Sequence, residues 1–205
     1  MKAHIVEAVY LPHNEPYLGD AELLAFDQMI PLAMAVNTSI AARTFEGNLD
    51  ELQIAATEII PQGVSISLSI RELIRQAYLY SAAILVRPLI DRAGTICWLR
   101  DHPNALMFWR NGWPRKDQPS FEMLMAHLHP TAEQDFKKDF VRMLHKHVHS
   151  DPEGSSYNMF ERNDGTLIFP SGKIVDQPEV ATYLSVMGRT YLEKLISTAI
   201  DIFPN

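Results

Sequence analysis

The strongest concentration of groups able to do chemistry lies in the predicted helix 131–149. Lys138, Arg142 and Lys146 recur every four residues there, and His145 and His149 lie among them. At about 100° per residue, these five side chains fall on one side of a helix, opposite an apolar stripe. Guanidinium, ammonium and imidazole groups on one face suit a phosphate or a carboxylate, and the same pattern is also typical of a solvated cationic face.

The positive charge of this helix contrasts with the chain as a whole. The 205 residues carry a formal net charge of −7, whereas the segment 136–149 contains four Lys or Arg and one Asp. Proteins that coat nucleic acid with their whole surface are basic over much of their area, so this class is excluded. A polyanionic partner would have to bind a local patch.

The segment from Arg142 to His149 resembles the signature of HEPN domains, in which a histidine follows an arginine after four to six residues. HEPN domains are helical bundles of RNA-cleaving toxins, CRISPR-associated nucleases and phage-defence proteins. The resemblance implies a homodimer that cleaves RNA without a metal. His149 would assist attack by the 2′-hydroxyl, and Arg142 would stabilise charge on the phosphoryl oxygens. His147 also fits the spacing, but it lies about 140° from Arg142 on the helix, so we expect it in the core.

A second resemblance covers more of the chain. Segments 84–91, 98–99 and 144–152 are similar to a group of uncharacterised bacterial helical proteins, known as a domain of unknown function. This resemblance implies a helical fold and no particular activity.

A charged pair lies within the predicted central helix. Arg87 and Asp91 are four residues apart, a spacing that lets their side chains meet. Because buried charges are costly unless they are paired, we expect an ion pair that belongs to a structural polar network or to a site. Lys138, His145, Lys146, Arg87 and Asp91 are therefore predicted to support Arg142 and His149 or to bind phosphate.

The connector 103–119 is a further candidate surface. It contains Trp109, Arg110, Trp113 and Arg115, and aromatic side chains beside arginines suit single-stranded nucleic acid. Tryptophans beside prolines also commonly hold a loop against a bundle. The sequence leaves both interpretations open.

Metal binding has little support in the sequence. His127, His129, His145, His149 and Asp151 are ligand types for zinc or iron. Cys97 is the chain's single cysteine, so no cysteine pair accompanies them, and the sequence contains no His-Glu-x-x-His motif. We expect no metal and no cofactor, and we expect Cys97 in the core.

The elements that must position these residues are mainly helices. We predict one domain over 1–205, a bundle of five to seven helices with an extended N-terminal arm at 1–19 and one small β-hairpin at 155–175 before the C-terminal helix. Asp20 and Asn48 are predicted to cap the first two helices, the first interrupted near Pro31 and the second ended by Pro61-Gln62-Gly63. A central helix is expected over 69–99. Further helices are expected over 120–129 and 131–149 and from Pro178 onward.

Two functions remain open from the sequence. The first is a HEPN-like, metal-independent ribonuclease or RNA-binding domain of a bacterial defence or toxin system, acting as a homodimer. The alternative is a non-catalytic helical interaction module that binds an acidic protein partner or a sister subunit through the same basic face. The longest apolar run, 77–86, is too short to span a membrane. We therefore expect a cytoplasmic protein without membrane contact.

Overall fold

The computed structural model describes residues 7, 9–148, 160–161, 165, 167–168 and 172–204. In this part of the chain the fold is mainly helical, as predicted, with seven helices. Their bounds are α1 Ala21–Glu46, α2 Glu51–Arg75, α3 Leu79–Asp101, α4 Ala105–Arg110, α5 Phe121–Leu128, α6 Gln134–Val148 and α7 Pro178–Ile202.

The core forms where α1, α2, α3 and α7 pack against one another, and α3 also contacts α5 and α6. α3 is buried on several sides, which confirms the predicted central helix although its bounds differ. Its largest fully buried side chains are Leu79, Leu89, Ile90, Ile96 and Leu99. Cys97 is buried, and its Sγ lies 3.1 Å from Thr198 Oγ1 on α7. The predicted core thiol is confirmed.

The predicted end of the second helix at Pro61-Gln62-Gly63 is wrong, because α2 continues through these residues to Arg75. Gly63 serves close packing instead. A Cβ atom at Gly63 would lie 2.4 Å from Leu195 Cδ1 of α7, so the missing side chain lets the two helices approach. The chain turns only after Arg75, where Ala77 has a φ of 63°.

Two other predictions about helix ends had mixed outcomes. Asp20 caps α1 as predicted, since its Oδ1 accepts from Leu23 N at 2.8 Å, and α1 runs through Pro31 without a break. Asn48 does not cap α2. Asp50 does so, in a reciprocal pair of hydrogen bonds with Gln53.

The N-terminal arm is turned rather than extended in its described part. Leu18 N donates to Glu15 O at 3.2 Å, one of several tight turns between residues 11 and 20. The arm is anchored by a buried cluster, here called the Arg71 network. Arg71 of α2 donates to both carboxylate oxygens of Glu15, at 2.9 and 2.8 Å, and to Asp27 of α1 at 2.5 and 2.8 Å.

Two short strands precede α7. β1, Phe160–Glu161, pairs antiparallel with β2, Leu167–Ile168, and Phe160 lies opposite Ile168. Ordinary strands have three or more residues, so this ladder does not establish the predicted β-hairpin as an element of the fold. Most of 155–171 lies outside the described residues.

The connector 103–119 is less irregular than predicted, because it contains the short helix α4. The helix predicted over 120–129 is confirmed as α5, and the hydroxyl of Ser120 caps it by accepting from Met123 N at 3.2 Å. The helix predicted over 131–149 is present as α6, although its described bounds are narrower. The connector and α5 together cover one side of α2 and α3.

Candidate functional site

A cleft of about 680 Å³ lies between α2, α3, the connector and the start of α5. Its volume is within the range usual for small-ligand sites. α2 contributes Glu58, Ile59 and Gln62; α3 contributes Arg87, Asp91, Arg92 and Thr95; and the connector and α5 contribute Trp109, Trp113, Arg115, Gln118, Pro119, Ser120, Phe121 and Leu124. We call this set of residues the cleft.

The wall formed by α3 holds three charged residues. Arg87 and Asp91 are four residues apart and therefore lie on neighbouring positions of the helix surface, whereas Arg92 lies about 140° around the helix from Arg87, toward α2. Arg92 Nε donates to Gln62 Oε1 of α2 at 2.9 Å. The Arg87 guanidinium carbon lies 5.0 Å from the centre of the Phe121 ring, a cation–π arrangement. Both guanidinium groups are thus oriented by neutral partners.

The predicted ion pair between Arg87 and Asp91 is not present. Among the described residues, the two charged groups have no contact within 4.0 Å, and they interact only over a longer distance. Burial raises the pKa of Asp91 above its ordinary value, and Arg87, Arg92 and His145 partly oppose that rise. The stacking of Arg87 on Phe121 accounts for the difference from the prediction, because the guanidinium is drawn toward α5.

The connector wall supplies two tryptophans, which pack against the core and also line the cleft. The two interpretations of this segment are therefore compatible. Gly112 and Trp113 have positive φ values of 80° and 47°. This backbone conformation is uncommon and strained for a bulky residue such as Trp113, and such strain is found mainly at functional sites. Trp113 Nε1 is buried and has no hydrogen-bond partner among the described residues.

α6 does not line the cleft with its basic face. Lys138 and Arg142 are exposed, and Arg142 Nη2 lies 3.0 Å from Asp139 in an exposed ion pair within the helix. Lys146 is half-buried. The side chain of His147 and the whole of His149 lie outside the described residues. The structure therefore does not bring Arg142 together with Arg87.

His145 lies elsewhere than the helix wheel predicts. Instead of facing solvent opposite the apolar stripe, it is half-buried, and its ring packs edge-on against Phe121 with 6.3 Å between the ring centres. The reason is that the packed side of α6 centres on Phe140, Val141 and Leu144, so His145 stands at its border. Arg87 and His145 thus contact the same aromatic ring. Three of the predicted supporting residues, Arg87, Asp91 and His145, are close in space.

The pairing of arginines distinguishes the cleft from the rest of the described surface. Of the ten arginines that the structure describes, six have a carboxylate within 4.0 Å: Arg71, Arg75, Arg100, Arg110, Arg142 and Arg189. The four without one are Arg43, Arg87, Arg92 and Arg115, and three of these four line the cleft. The cleft therefore gathers guanidinium groups that lack an anionic partner.

Several residues of the cleft were not predicted from the sequence. Gln62 was overlooked because the predicted break at Pro61-Gln62-Gly63 ended the helix before it. Arg92 and Phe121 were overlooked because they reach the cleft only through the packing of α2, α3 and α5. Arg92 lies about 140° from Arg87 on the helix, so the spacing within α3 did not signal it, and its place in the cleft depends on its contact with Gln62 of α2.

Among the described residues, no group of three or more His, Cys, Asp or Glu side chains is arranged to hold a metal ion. Comparisons with protein-family models, with curated proteins and with solved structures give no match for this chain.

Proposed function

We propose that this chain is a helical RNA-binding domain whose cleft accepts one or two nucleotides of a single strand. The observation that supports this most is the gathering of Arg87, Arg92 and Arg115, none of them ion-paired with another described residue, beside two tryptophans in a cleft of about 680 Å³. Guanidinium groups bind phosphate oxygens with fork geometry, and indole rings stack on bases. A single strand supplies both chemical groups at once.

The local charge also favours an anion. Three arginines in the cleft face two carboxylates, Glu58 and Asp91, and burial shifts Asp91 toward its neutral form by raising its pKa. The three guanidinium groups supply hydrogen-bond donors for phosphate oxygens or base edges. A neutral apolar ligand would leave these groups unpaired, which is costly.

The decisive experiment compares two triple variants that remove the same charge. In one, Arg87, Arg92 and Arg115 of the cleft become Gln; in the other, Lys138, Arg142 and Lys146 of α6 become Gln. Binding of a fluorescent single-stranded RNA is followed by anisotropy at fixed salt. We expect the cleft variant to lose at least about thirtyfold in affinity and the α6 variant less than about threefold.

Equal losses in the two variants would mean that binding follows overall charge, and the cleft proposal would fail. It would fail equally if the unaltered protein bound no RNA. Circular dichroism and thermal unfolding of both variants check that the fold is intact.

RNA cleavage is a second candidate, motivated by the resemblance to HEPN domains and by the exposure of Arg142 and Lys138 on α6. Labelled RNA is incubated with the protein in EDTA. Cleavage that is lost in both Arg142→Ala and His149→Ala would support this candidate. Cleavage that survives both changes but is lost in the cleft variant would move the chemistry to the cleft.

A further inference from the structure

One carboxylate of the cleft has no hydrogen-bond donor of the described chain beside it. Asp91 lines the cleft from α3 and is half-buried. Arg87, one turn earlier on α3, is turned toward the Phe121 ring. Arg92 donates to Gln62 of α2. Within the described residues Asp91 accepts no hydrogen bond and has no cationic group within 4.0 Å. Because carboxylates that are withdrawn from solvent normally accept hydrogen bonds, Asp91 is available to a ligand that donates them.

The surroundings of Asp91 indicate which kind of ligand would stabilise its charge. Burial raises the pKa of Asp91, and Arg87, Arg92 and His145 partly oppose that rise. N–H groups donated to the carboxylate would favour its charged form further. A phosphodiester group by itself offers only acceptor oxygens, so it would satisfy the arginines and leave Asp91 without a donor. A nucleotide supplies both a phosphate and the N–H groups of a base.

The four RNA bases differ in the groups that they would present to a carboxylate. In a single strand their Watson–Crick edges are accessible to side chains. Guanine presents two adjacent donors, N1–H and N2–H, which match the two acceptor oxygens of one carboxylate. Adenine and cytosine each present an amino group beside a ring nitrogen that only accepts, and uracil presents N3–H between two carbonyl oxygens. With these three bases the second carboxylate oxygen would face a lone pair, so guanine fits Asp91 best.

We propose that Asp91 makes the cleft selective for guanine, by accepting hydrogen bonds from N1–H and N2–H of one base while the cleft arginines bind the adjoining phosphates. This inference rests on the proposed function, because the cleft must first bind a single strand. A good bidentate contact with a base changes affinity by roughly 5- to 150-fold. The second carboxylate of the cleft, Glu58 of α2, is exposed. Water competes for its oxygens, so we expect no base selection there.

Short RNAs that differ at one base test the selectivity. Each is an oligouridine whose central base is guanine, adenine, cytosine or uracil, and binding is followed by fluorescence anisotropy at fixed salt. We expect the guanine RNA to bind at least about tenfold more tightly than the other three. A fifth RNA carries inosine, whose base keeps N1–H but lacks the 2-amino group. It should bind at least about threefold more weakly than the guanine RNA, because one of the two hydrogen bonds is lost.

Two alanine variants separate the role of Asp91 from the general charge of the cleft. Asp91→Ala and Glu58→Ala each remove one carboxylate from the same cleft. The measured quantity is the ratio of the affinities for the guanine RNA and the uracil RNA, in which effects of net charge and of the folded fraction cancel. We expect Asp91→Ala to bring this ratio within about twofold of one, and Glu58→Ala to keep it within about twofold of the ratio of the unaltered protein.

Loss of selectivity and loss of RNA binding are distinguishable results. If the unaltered protein binds all five RNAs with similar affinity, RNA binding stands and the role of Asp91 is wrong. That role is also wrong if inosine binds as tightly as guanine, if adenine or cytosine is preferred, or if Glu58→Ala abolishes the selectivity as fully as Asp91→Ala does. If no RNA binds, the proposed function and the role of Asp91 both fail. The inosine comparison changes only the RNA, so it decides the question even if Asp91→Ala does not fold.

Discussion

Two arginine clusters of this molecule differ in what surrounds their guanidinium groups. Arg71 is buried and makes four hydrogen bonds to the carboxylates of Glu15 and Asp27. In the cleft, Arg87 stacks on Phe121 and Arg92 is hydrogen-bonded to Gln62. Neither has a carboxylate of the described residues within 4.0 Å. The Arg71 guanidinium is neutralised by carboxylates of the protein, whereas the guanidinium groups of the cleft can bind an anionic ligand.

The difference separates a structural cluster from a binding site. Burial lowers the pKa of Arg71, but the hydrogen bonds that its guanidinium donates to Asp27 and Glu15 outweigh that effect and raise the pKa. This network fixes the arm onto α2, and its four hydrogen bonds use four of the five guanidinium N–H donors of Arg71. Guanidinium groups held by an aromatic ring or by one bond to an amide keep most of their N–H donors for an incoming anion.

The largest effect on stability is expected from removing Arg71 from the Arg71 network. Arg71→Met would leave Glu15 buried without its bidentate partner, which should lower the free energy of unfolding by about 3–5 kcal/mol. Urea denaturation followed by circular dichroism measures this loss. Arg142→Met is the control, because its ion pair with Asp139 is exposed, and the change should stay within about 0.5 kcal/mol. Similar losses in both variants would contradict the structural role of the Arg71 network.

A smaller effect, on binding rather than on stability, is expected from changing an arginine of the cleft. Arg115→Gln should weaken RNA binding by up to about tenfold and lower the slope of log affinity against log salt by about 0.7. The free energy of unfolding should change by less than about 0.5 kcal/mol, because no ion pair within 4.0 Å joins Arg115 to the rest of the described chain. A large loss of stability would mean that this arginine is structural.

The smallest effect is expected at Asp91. Because burial raises its pKa above the ordinary 3.8, the native state holds this proton more tightly than the unfolded state. Stability from this group is therefore present below pH 3.8 and is lost as the pH rises through the native pKa. Asp91→Asn should be more stable than the unaltered protein at pH 7, by less than about 1 kcal/mol. It should also bind RNA that lacks guanine a few times more tightly.

Unfolding curves at pH 7 and near pH 3 check the sign of this effect. The stability difference between Asp91→Asn and the unaltered protein should shrink at the lower pH. A difference that grows on acidification would mean that Asp91 is stabilised as a carboxylate, which its surroundings do not predict.

The helices could be predicted from the sequence where local signals and tertiary packing agree. Asp20 caps α1 and Pro178 begins α7, as expected. The prediction fails at Pro61-Gln62-Gly63, where a local breaker signal is overridden by packing of α2 against α7. Gly63 is needed there to let Leu195 approach, and a sequence read by itself does not show which helix lies opposite.

The site was predictable only in part for the same reason. Arg87 and Asp91 were identified by their spacing on one helix, and the connector by its tryptophans. Their meeting with Gln62 and Phe121 depends on how α2, α3 and α5 pack. The basic face of α6 was the strongest sequence signal for a binding site. Arg142 of this face is exposed to solvent and lies outside the cleft, because clustered charge on an amphipathic helix indicates its exposed side and does not by itself indicate a binding site.

The three tryptophans occupy two different environments, so intrinsic tryptophan fluorescence can follow ligand binding to this protein. Trp109 and Trp113 line the cleft, so an occupant that stacks on them would alter their emission without any label. Trp98 is not among the residues of the cleft and is stacked on His102 with 3.9 Å between the ring centres. Its emission should therefore stay nearly constant when the cleft fills, and it provides an internal reference for the change at Trp109 and Trp113.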